Sequence, residues 1–330
     1  MRVMVTGANG LVGRALVQRL LALGQLNGRP ISRLLLLDQQ LSDLPSDARL
    51  RTYTGTITDV ALLRRSLADG ADVVFHLDSI PGCVAEENYS LGNKVNLMAS
   101  LELLDQLRML SRPTVLVYAS SIAVYGAELP TRMGERELPR PDTSYGAHKL
   151  MVETAICDLA RRGEVDGRVV RLPAIVAHPH ESNGLRSAFM SELLHSVASN
   201  RPYRCPVSPQ VASWWMSAVC CVDNLLHAAQ LDTRTIARDR VWQLPVLRLS
   251  VEEVVTALAN RYGNERRELV SYAPDPALEN VLGRFPPIKT TQARALGFRH
   301  DGSPAGLLRN TLSSVIASRR AANSEGILQP

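Results

Sequence analysis

The chain has 330 residues, of which 45% are hydrophobic and 21% charged, a composition typical of a folded protein with one large domain and a lobe, or with two domains. Its net charge of +5 comes from 37 basic and 32 acidic residues scattered along the chain, and without a basic stripe the sequence predicts no nucleic-acid partner. No apolar run of about 18 residues and no cleavable apolar leader is visible, so we expect a cytoplasmic protein that neither crosses a membrane nor is secreted.

Short apolar strands alternate with helical patterns in the first half of the chain, which predicts parallel strands joined by crossover helices. The second and fourth strands are apolar at nearly every position, as strands covered on both faces require. The sequence therefore predicts an α/β protein with a Rossmann-type, doubly wound parallel sheet. The predicted strands are 2–6, 33–37, 72–76, 114–119 and 167–172, and the predicted helices are 11–23, 60–67, 85–109 and 144–161.

The alternation fades after Pro173, where a smaller C-terminal lobe is predicted to begin. We expect a Rossmann domain over 1–172 and this lobe over 173–330, with some of its segments returning to the sheet. The polar tail at 318–330 is expected to fray. Within the lobe, the sequence predicts a loop at 179–183, a helix at 185–197, a strand at 241–244 and a helix at 251–259 that Ser250 caps.

A glycine-rich turn, TGANGLVG, follows the first strand directly and opens the first helix. Gly7 allows the tight turn, Gly10 lets backbone N–H groups approach a pyrophosphate, and Gly13 lets the helix pack closely on the strand. Asn9 and Leu11 belong to the same turn. The strand before it and the helix after it make a dinucleotide-binding site the favoured interpretation.

An acidic residue, Asp38, ends the second strand and follows Gly13 by 25 residues, close to the spacing of a ribose-binding acid. A carboxylate there repels a 2′-phosphate, and two glutamines follow it, so NAD is favoured over NADP as the cofactor. The alternative is a solvated acid at a strand end. Thr56 and Ile57 lie where such folds line the adenine pocket, although a turn leading to the helix cap Asp59 explains that segment equally well.

Three residues form the predicted catalytic set: Ser121 at the end of the fourth strand, and Tyr145 and Lys149 on the next helix. The i to i+4 spacing places the tyrosine and the lysine on one helix face. A nearby ammonium favours phenolate, so we expect Lys149 to lower the pKa of Tyr145 and let it accept the proton of a substrate hydroxyl. Ser121 would hold the same oxygen. The alternative interpretation of Tyr145 and Lys149, taken without Ser121, is an ordinary pair of side chains on the surface of a helix.

Other residues able to do chemistry are given structural interpretations. His76 is expected in the core, His148 partly exposed, and Asn96 bonded to the backbone of the fourth strand. Trp214 and Trp215 fit a pocket wall and a core equally well. Five cysteines, an odd number without a CxxC pair, predict a reducing compartment and no metal site.

These motifs together resemble the extended short-chain dehydrogenase/reductase family over 1–312, through TGANGLVG, Asp38, VFHL, KVN, SSIAVYG, SYGAHK and RLPAIVAHP. Within it, segments such as VAEENYSLGNKVN and QARALGF are most similar to the D-erythronate dehydrogenase group. The resemblance implies an NAD-dependent oxidation of a four-carbon sugar acid at C2, a homodimer, and no membrane partner. It also implies that NAD contacts Leu77, Asp78, Asn96, Tyr145, Lys149 and Pro173, and that the substrate contacts Ser79, Ser121, Ile122, His178 and Asn183.

The sequence departs from that group at Asp78, where an acid stands near the expected nicotinamide end, and at His178, where an arginine is expected. An unpaired carboxylate at 78 would disfavour an anionic substrate. Two other functions therefore stay open. A nucleotide-sugar epimerase or dehydratase would use the same set with NAD kept bound, and Arg186, Arg201 and Arg204 are its candidate pyrophosphate ligands. A non-catalytic NAD(H) sensor would bind NADH without turnover.

Overall fold

The computed structural model describes residues 1–176, 187–233, 240–283 and 285–312. Among these residues, no helix is long and apolar enough to cross a membrane. In chain order, the strands are β1 (Arg2–Thr6), β2 (Gln25–Leu26), β3 (Arg29–Pro30), β4 (Arg33–Asp38), β5 (Leu50–Thr54), β6 (Val73–His76), β7 (Val115–Ser121), β8 (Met133–Gly134), β9 (Asp166–Leu172), β10 (Ala174–Val176), β11 (Tyr203–Cys205), β12 (Ala212–Ser217), β13 (Val241–Gln243), β14 (Leu247–Ser250), β15 (Val270–Tyr272) and β16 (Ile288–Lys289).

The α-helices are α1 (Leu11–Leu23), α2 (Val60–Leu67), α3 (Gly82–Glu87), α4 (Tyr89–Gly92), α5 (Ala99–Arg108), α6 (Ser144–Arg162), α7 (Ala188–Ala198), α8 (Ala218–Gln230), α9 (Val251–Tyr262), α10 (Pro276–Leu282) and α11 (Thr291–Ala295). A π-helix spans Asn93–Met98, and 3₁₀-helices span Ile122–Tyr125 and Asn264–Leu269.

Seven parallel strands form the central sheet in the order β13-β9-β7-β6-β1-β4-β5. The order runs outward in opposite directions from β1 and β6, so a crevice opens beyond the carboxyl ends of these two strands. Helices cover both faces, and the sheet is buried between two apolar clusters. The predicted Rossmann-type α/β fold is confirmed, and the crevice is where a dinucleotide-binding site is expected.

Most predicted elements of the first half are present within one or two residues of their expected ends, and α1 and α2 match at both ends. The single helix predicted over 85–109 is wrong. The chain leaves helical geometry at Asn88, with φ −132° and ψ 82°, and its side chain caps α4 by accepting a hydrogen bond from the Leu91 amide. The segment is therefore divided into α3, α4, a π-helical turn and α5.

The second lobe packs around its own apolar cluster, which includes α7 and α9. Ser250 caps α9 as predicted, in a reciprocal capping box with Glu253. Trp214 and Trp215 are fully buried, and each indole N–H donates to a backbone carbonyl, so both belong to the core and neither walls the cavity. β13, predicted in the second half of the chain, joins the edge of the central sheet beside β9.

Candidate active site

The glycine-rich turn between β1 and α1 is held in a shape that only glycine allows at two positions. Gly7 has φ +68°, and a Cβ there would lie 2.8 Å from the amide nitrogen of Asp78. A Cβ on Gly13 would collide with the carbonyl oxygen of Gly7. Gly10 precedes α1 and gives it no side-chain cap, which leaves the helix N-terminus for an anionic ligand.

Asp38 lies beside this turn at the end of β4. Its carboxylate accepts a hydrogen bond of 2.8 Å from the Asn9 amide, while the side-chain oxygen of Asn9 is buried without a hydrogen-bond partner. Three features of this region fit a bound dinucleotide. Side chains in place of the glycines would close the turn, the N-terminus of α1 has no side-chain cap, and the unpartnered oxygen belongs to Asn9, beside the Asp38 carboxylate. Thr56 and Ile57 lie in the turn after β5, where Asp59 caps α2 through the Ala61 and Leu62 amides, so the structural interpretation of that turn is confirmed.

A cavity of about 840 Å³ opens beyond the carboxyl ends of β1, β6, β7 and β9 and extends to the second lobe. The predicted site residues that line it are Gly7, Gly10, Leu11, Gly13, Leu77, Ser79, Ser121, Ile122, Tyr145, Lys149 and Pro173. Those that do not line it are Asn9, Asp38, Thr56, Ile57, Asp78 and Asn96, and His178 and Asn183 lie outside the described residues.

Tyr145 stands at the cavity wall in the first turn of α6, which packs against the 3₁₀-helix that follows β7. Its phenol lies near the hydroxyls of Ser121, at the end of β7, and Ser79, in the loop after β6, and both hydroxyls lower the pKa of the phenol. The first turn of α6 approaches the 3₁₀-helix so closely that a Cβ on Gly146 would collide with the carbonyl oxygen of Ala123. A glycine next to the tyrosine thus lets α6 bring the phenol to the strand ends.

Lys149 is buried one turn further along α6. Its ammonium donates to the carbonyl oxygen of Ala119 at 2.9 Å and lies 4.8 Å above the Tyr118 ring and 5.5 Å from the centre of the Tyr145 ring. Burial lowers the pKa of Lys149 to about 8. The carboxylates of Asp78 and Glu153 raise this pKa, but their effect is smaller than that of burial.

The expectation that Tyr145 has a lowered pKa is wrong. Burial raises the pKa of the phenol above its usual range, and the hydroxyls of Ser79 and Ser121 only partly oppose this. Because the Lys149 ammonium is turned toward the Ala119 carbonyl, the loss of solvation by the phenol dominates.

The family model for the NAD-dependent epimerase/dehydratase family matches residues 3–213, which include the glycine turn, β7 and α6. The chain belongs to this family. It is therefore an NAD-dependent enzyme, and a nicotinamide cofactor is implied.

Two similar proteins are D-erythronate dehydrogenases. One, from Cupriavidus necator, is 35% identical over 92% of this chain and 95% of its own length, and another, from Haemophilus influenzae, is 31% identical over 92% and 96%. Among solved structures, a nucleoside-diphosphate-sugar epimerase from Agrobacterium tumefaciens superimposes with a TM-score of 0.90 at 28% identity, over 96% of this chain and 95% of the other.

Two polar residues in this member of the family are not placed as the sequence predicted. His148 is 1% exposed, where partial exposure was expected, because α3 and α4 cover that side of α6 and the Tyr89 ring lies 5.8 Å from its imidazole. Asn96 does not bond to the fourth strand. Its amide pairs with the backbone N–H and C=O of Ile80, because the π-helical turn faces the loop after β6. Asn96 thereby fixes the loop that carries Asp78 and Ser79.

His76 is a core residue as predicted, hydrogen-bonded to Thr6 at 2.7 Å and Ser100 at 2.9 Å. Burial, with a smaller effect from Lys149, lowers its pKa to about 3, so the imidazole is neutral.

The pKa of Asp78 shifts in the opposite direction. Burial and the nearby Asp38 carboxylate raise its pKa to about 7, although Lys149 lowers it.

A buried ionic network behind the catalytic set was not predicted. The Arg171 guanidinium donates two hydrogen bonds to the Glu153 carboxylate, at 3.0 and 2.7 Å, and a third to the Tyr125 hydroxyl at 3.1 Å. Ser120 also donates to Glu153. The network joins α6, β7 and β9 directly below the cavity. Its sequence signal is the i to i+4 spacing from Lys149 to Glu153 on the predicted helix.

Proposed function

We propose that this protein is a dehydrogenase that oxidises the C2 hydroxyl of a small sugar acid such as D-erythronate to a 2-oxo acid, with NAD as the oxidant. The observation that carries the proposal is that Tyr145, Ser121 and Ser79 line the same cavity as the glycine turn. The two similar D-erythronate dehydrogenases support the substrate class.

The cofactor would be held by the turn and the strand end beside it. The uncapped N-terminus of α1 at Gly10 would bind the diphosphate, and Asp38 would accept hydrogen bonds from the adenosine ribose. When bound, NAD supplies the hydride acceptor. Asp38 also disfavours a 2′-phosphate by charge repulsion, which supports NAD over NADP.

The proton is handled by the residues on α6 and β7. Tyr145 accepts the proton of the substrate hydroxyl as the hydrogen on the same carbon leaves as hydride, and Ser121 donates a hydrogen bond that orients the oxygen. The Lys149 ammonium lies 5.5 Å from the centre of the Tyr145 ring but is bonded to the Ala119 carbonyl, so it would have to turn toward the phenol oxygen to stabilise the phenolate that accepts the proton. In the reverse direction the Tyr145 phenol returns the proton to the oxygen.

A nucleotide-sugar epimerase is the second candidate, and the specific observation in its favour is the likeness to the epimerase from Agrobacterium tumefaciens. Such an enzyme keeps its cofactor and releases no NADH. A substrate panel therefore separates the two functions.

The test is NADH formation by the purified protein with NAD, followed by absorbance. D-erythronate and L-threonate are offered beside UDP-glucose and UDP-galactose, and sugar products are analysed by chromatography. We expect stoichiometric NADH and a 2-oxo acid from a sugar acid only. Interconversion of the UDP-sugars without net NADH, and silence with both acids, would replace the proposal by the epimerase.

A further inference from the structure

The far wall of the cavity belongs to the second lobe and carries a basic residue that the proposed mechanism does not use. Arg201 follows α7 and lines the cavity together with Ser196 and Glu192, whereas Tyr145 and Lys149 line the wall on the Rossmann side. Arg204, only three residues further along, is exposed on β11 and does not line the cavity. Both arginines are exposed, and of the two only Arg201 lines the cavity.

The backbone fixes where Arg201 leaves α7. Asn200 adopts a left-handed conformation with φ +58°, and its N–H donates to the Val197 carbonyl at 3.1 Å. The Arg201 N–H donates to the Ser196 carbonyl at 2.9 Å. These two bonds are the pair that defines a Schellman helix end, so the backbone of Arg201 is anchored at the end of α7.

The charged residues lining the cavity are Arg201, Lys149 and three acids, Glu86, Asp142 and Glu192. Among the described residues that line it, the other cation is Lys149, whose ammonium is already bonded to the Ala119 carbonyl. Glu192, on the same wall, accepts a hydrogen bond from the Tyr203 hydroxyl at 3.1 Å. Arg201 forms no salt bridge to any residue in the described part of the chain.

We propose that Arg201 binds the carboxylate of the substrate and so makes the enzyme select sugar acids over neutral polyols. A guanidinium presents two parallel N–H donors that match the two oxygens of a carboxylate, which a single ammonium does not. The inference rests on the proposed function, since it names how that substrate is recognised. A sugar acid carries its carboxylate beside C2, so the contact would lie next to the carbon that reacts without contributing to the chemical step.

The test measures binding and turnover separately. Calorimetry follows D-erythronate and its neutral amide binding to the protein–NADH complex, and steady-state kinetics give KM and kcat for D-erythronate. The variants are Arg201→Gln and Arg201→Lys, with Arg204→Gln as the matched control on the exposed strand. Loss of a charge-assisted contact predicts that Arg201→Gln weakens acid binding and raises KM by roughly 10- to 100-fold. We expect kcat and NAD affinity to change little, amide binding to be unaffected, and Arg201→Lys to recover part of the loss.

Equal binding of the acid by the wild type, Arg201→Gln and Arg204→Gln would overturn the inference, and so would a wild type that binds the amide as well as the acid. These outcomes differ from failure of the proposed function, which is the absence of NADH from every sugar acid with the wild type. A wild type that binds the acid through Arg201 but does not oxidise it would support the inference and reject the reaction.

Discussion

Replacing Glu153 by glutamine should destabilise the protein far more than replacing an exposed acid of the same helix. Glu153 and Arg171 have side chains that are 3% and 8% exposed, and the carboxylate receives two hydrogen bonds from Arg171 and one from Ser120. Glu153→Gln keeps the shape of the side chain but leaves the guanidinium as an unpaired buried charge.

The magnitude follows from that burial. Removing one partner of a buried ion pair costs about 3 to 5 kcal/mol, because the remaining charge is neither hydrated nor paired. Asp158 pairs with Arg161 one turn later on α6, but these side chains are 55% and 66% exposed. An exposed pair contributes about 0 to 1 kcal/mol, so Asp158→Asn is the matched control.

The assay is urea unfolding followed by circular dichroism, with the free energy of unfolding extrapolated to water. A double variant, Glu153→Met with Arg171→Met, removes both charges and should be destabilised by less than the sum of the two single changes. A Glu153→Gln protein within about 1 kcal/mol of the wild type, as expected of an exposed pair, would refute the reasoning.

Three further predictions concern the residues around the cavity. Gly13→Ala should abolish NADH binding, measured by fluorescence, because its methyl group overlaps the Gly7 carbonyl, whereas Gly134→Ala, where a Cβ meets nothing within 4 Å, should bind normally. Asp78 has a folded-state pKa of about 7, above its unfolded value, so the folded protein holds more protons between the two values and loses stability as pH rises through that window. Asp78→Asn has no carboxyl group to ionise, so it does not lose this stability. The Tm of the variant minus the Tm of the wild type should therefore be larger at pH 8 than at pH 5. A difference independent of pH would contradict the raised pKa of Asp78. Asn96→Ala removes both bonds to Ile80, and should lower kcat with little change in the Tm, since the loop carrying Ser79 is released.

The sequence predicts the fold well where the local pattern and the tertiary environment agree. β4 is a run of buried leucines, and α1 ends at a glycine with φ +65°, so both are recognisable from residue type alone. β5 was missed because it lies at the sheet edge with exposed side chains, and its residues, LRTYT, lack an apolar face. The break at Asn88 was missed although its local signal is present, since Asn88, Ser90 and Gly92 are weak helix formers and asparagine is a common N-cap.

The sequence predicts only the part of the candidate site that local patterns encode, and not the part that depends on tertiary packing. The glycine turn and the spacing from Tyr145 to Lys149 are local patterns, so their residues could be named before the structure was known. The raised pKa of Tyr145 depends on burial by distant segments, which spacing does not report. The position of Arg201 at the cavity wall depends on how α7 packs against β10, β11 and α9, and the sequence alone does not distinguish it from Arg204.

The most direct test of the proposed reaction compares the wild type with Tyr145→Phe in the formation of NADH from D-erythronate and NAD. The substitution removes only the hydroxyl, and general acid–base catalysis contributes roughly 100- to 10,000-fold, so kcat should fall by about that factor while NADH still binds. A Tyr145→Phe protein that binds NADH and retains the wild-type kcat would contradict the account, because the proton would then leave by a route that does not involve the phenol.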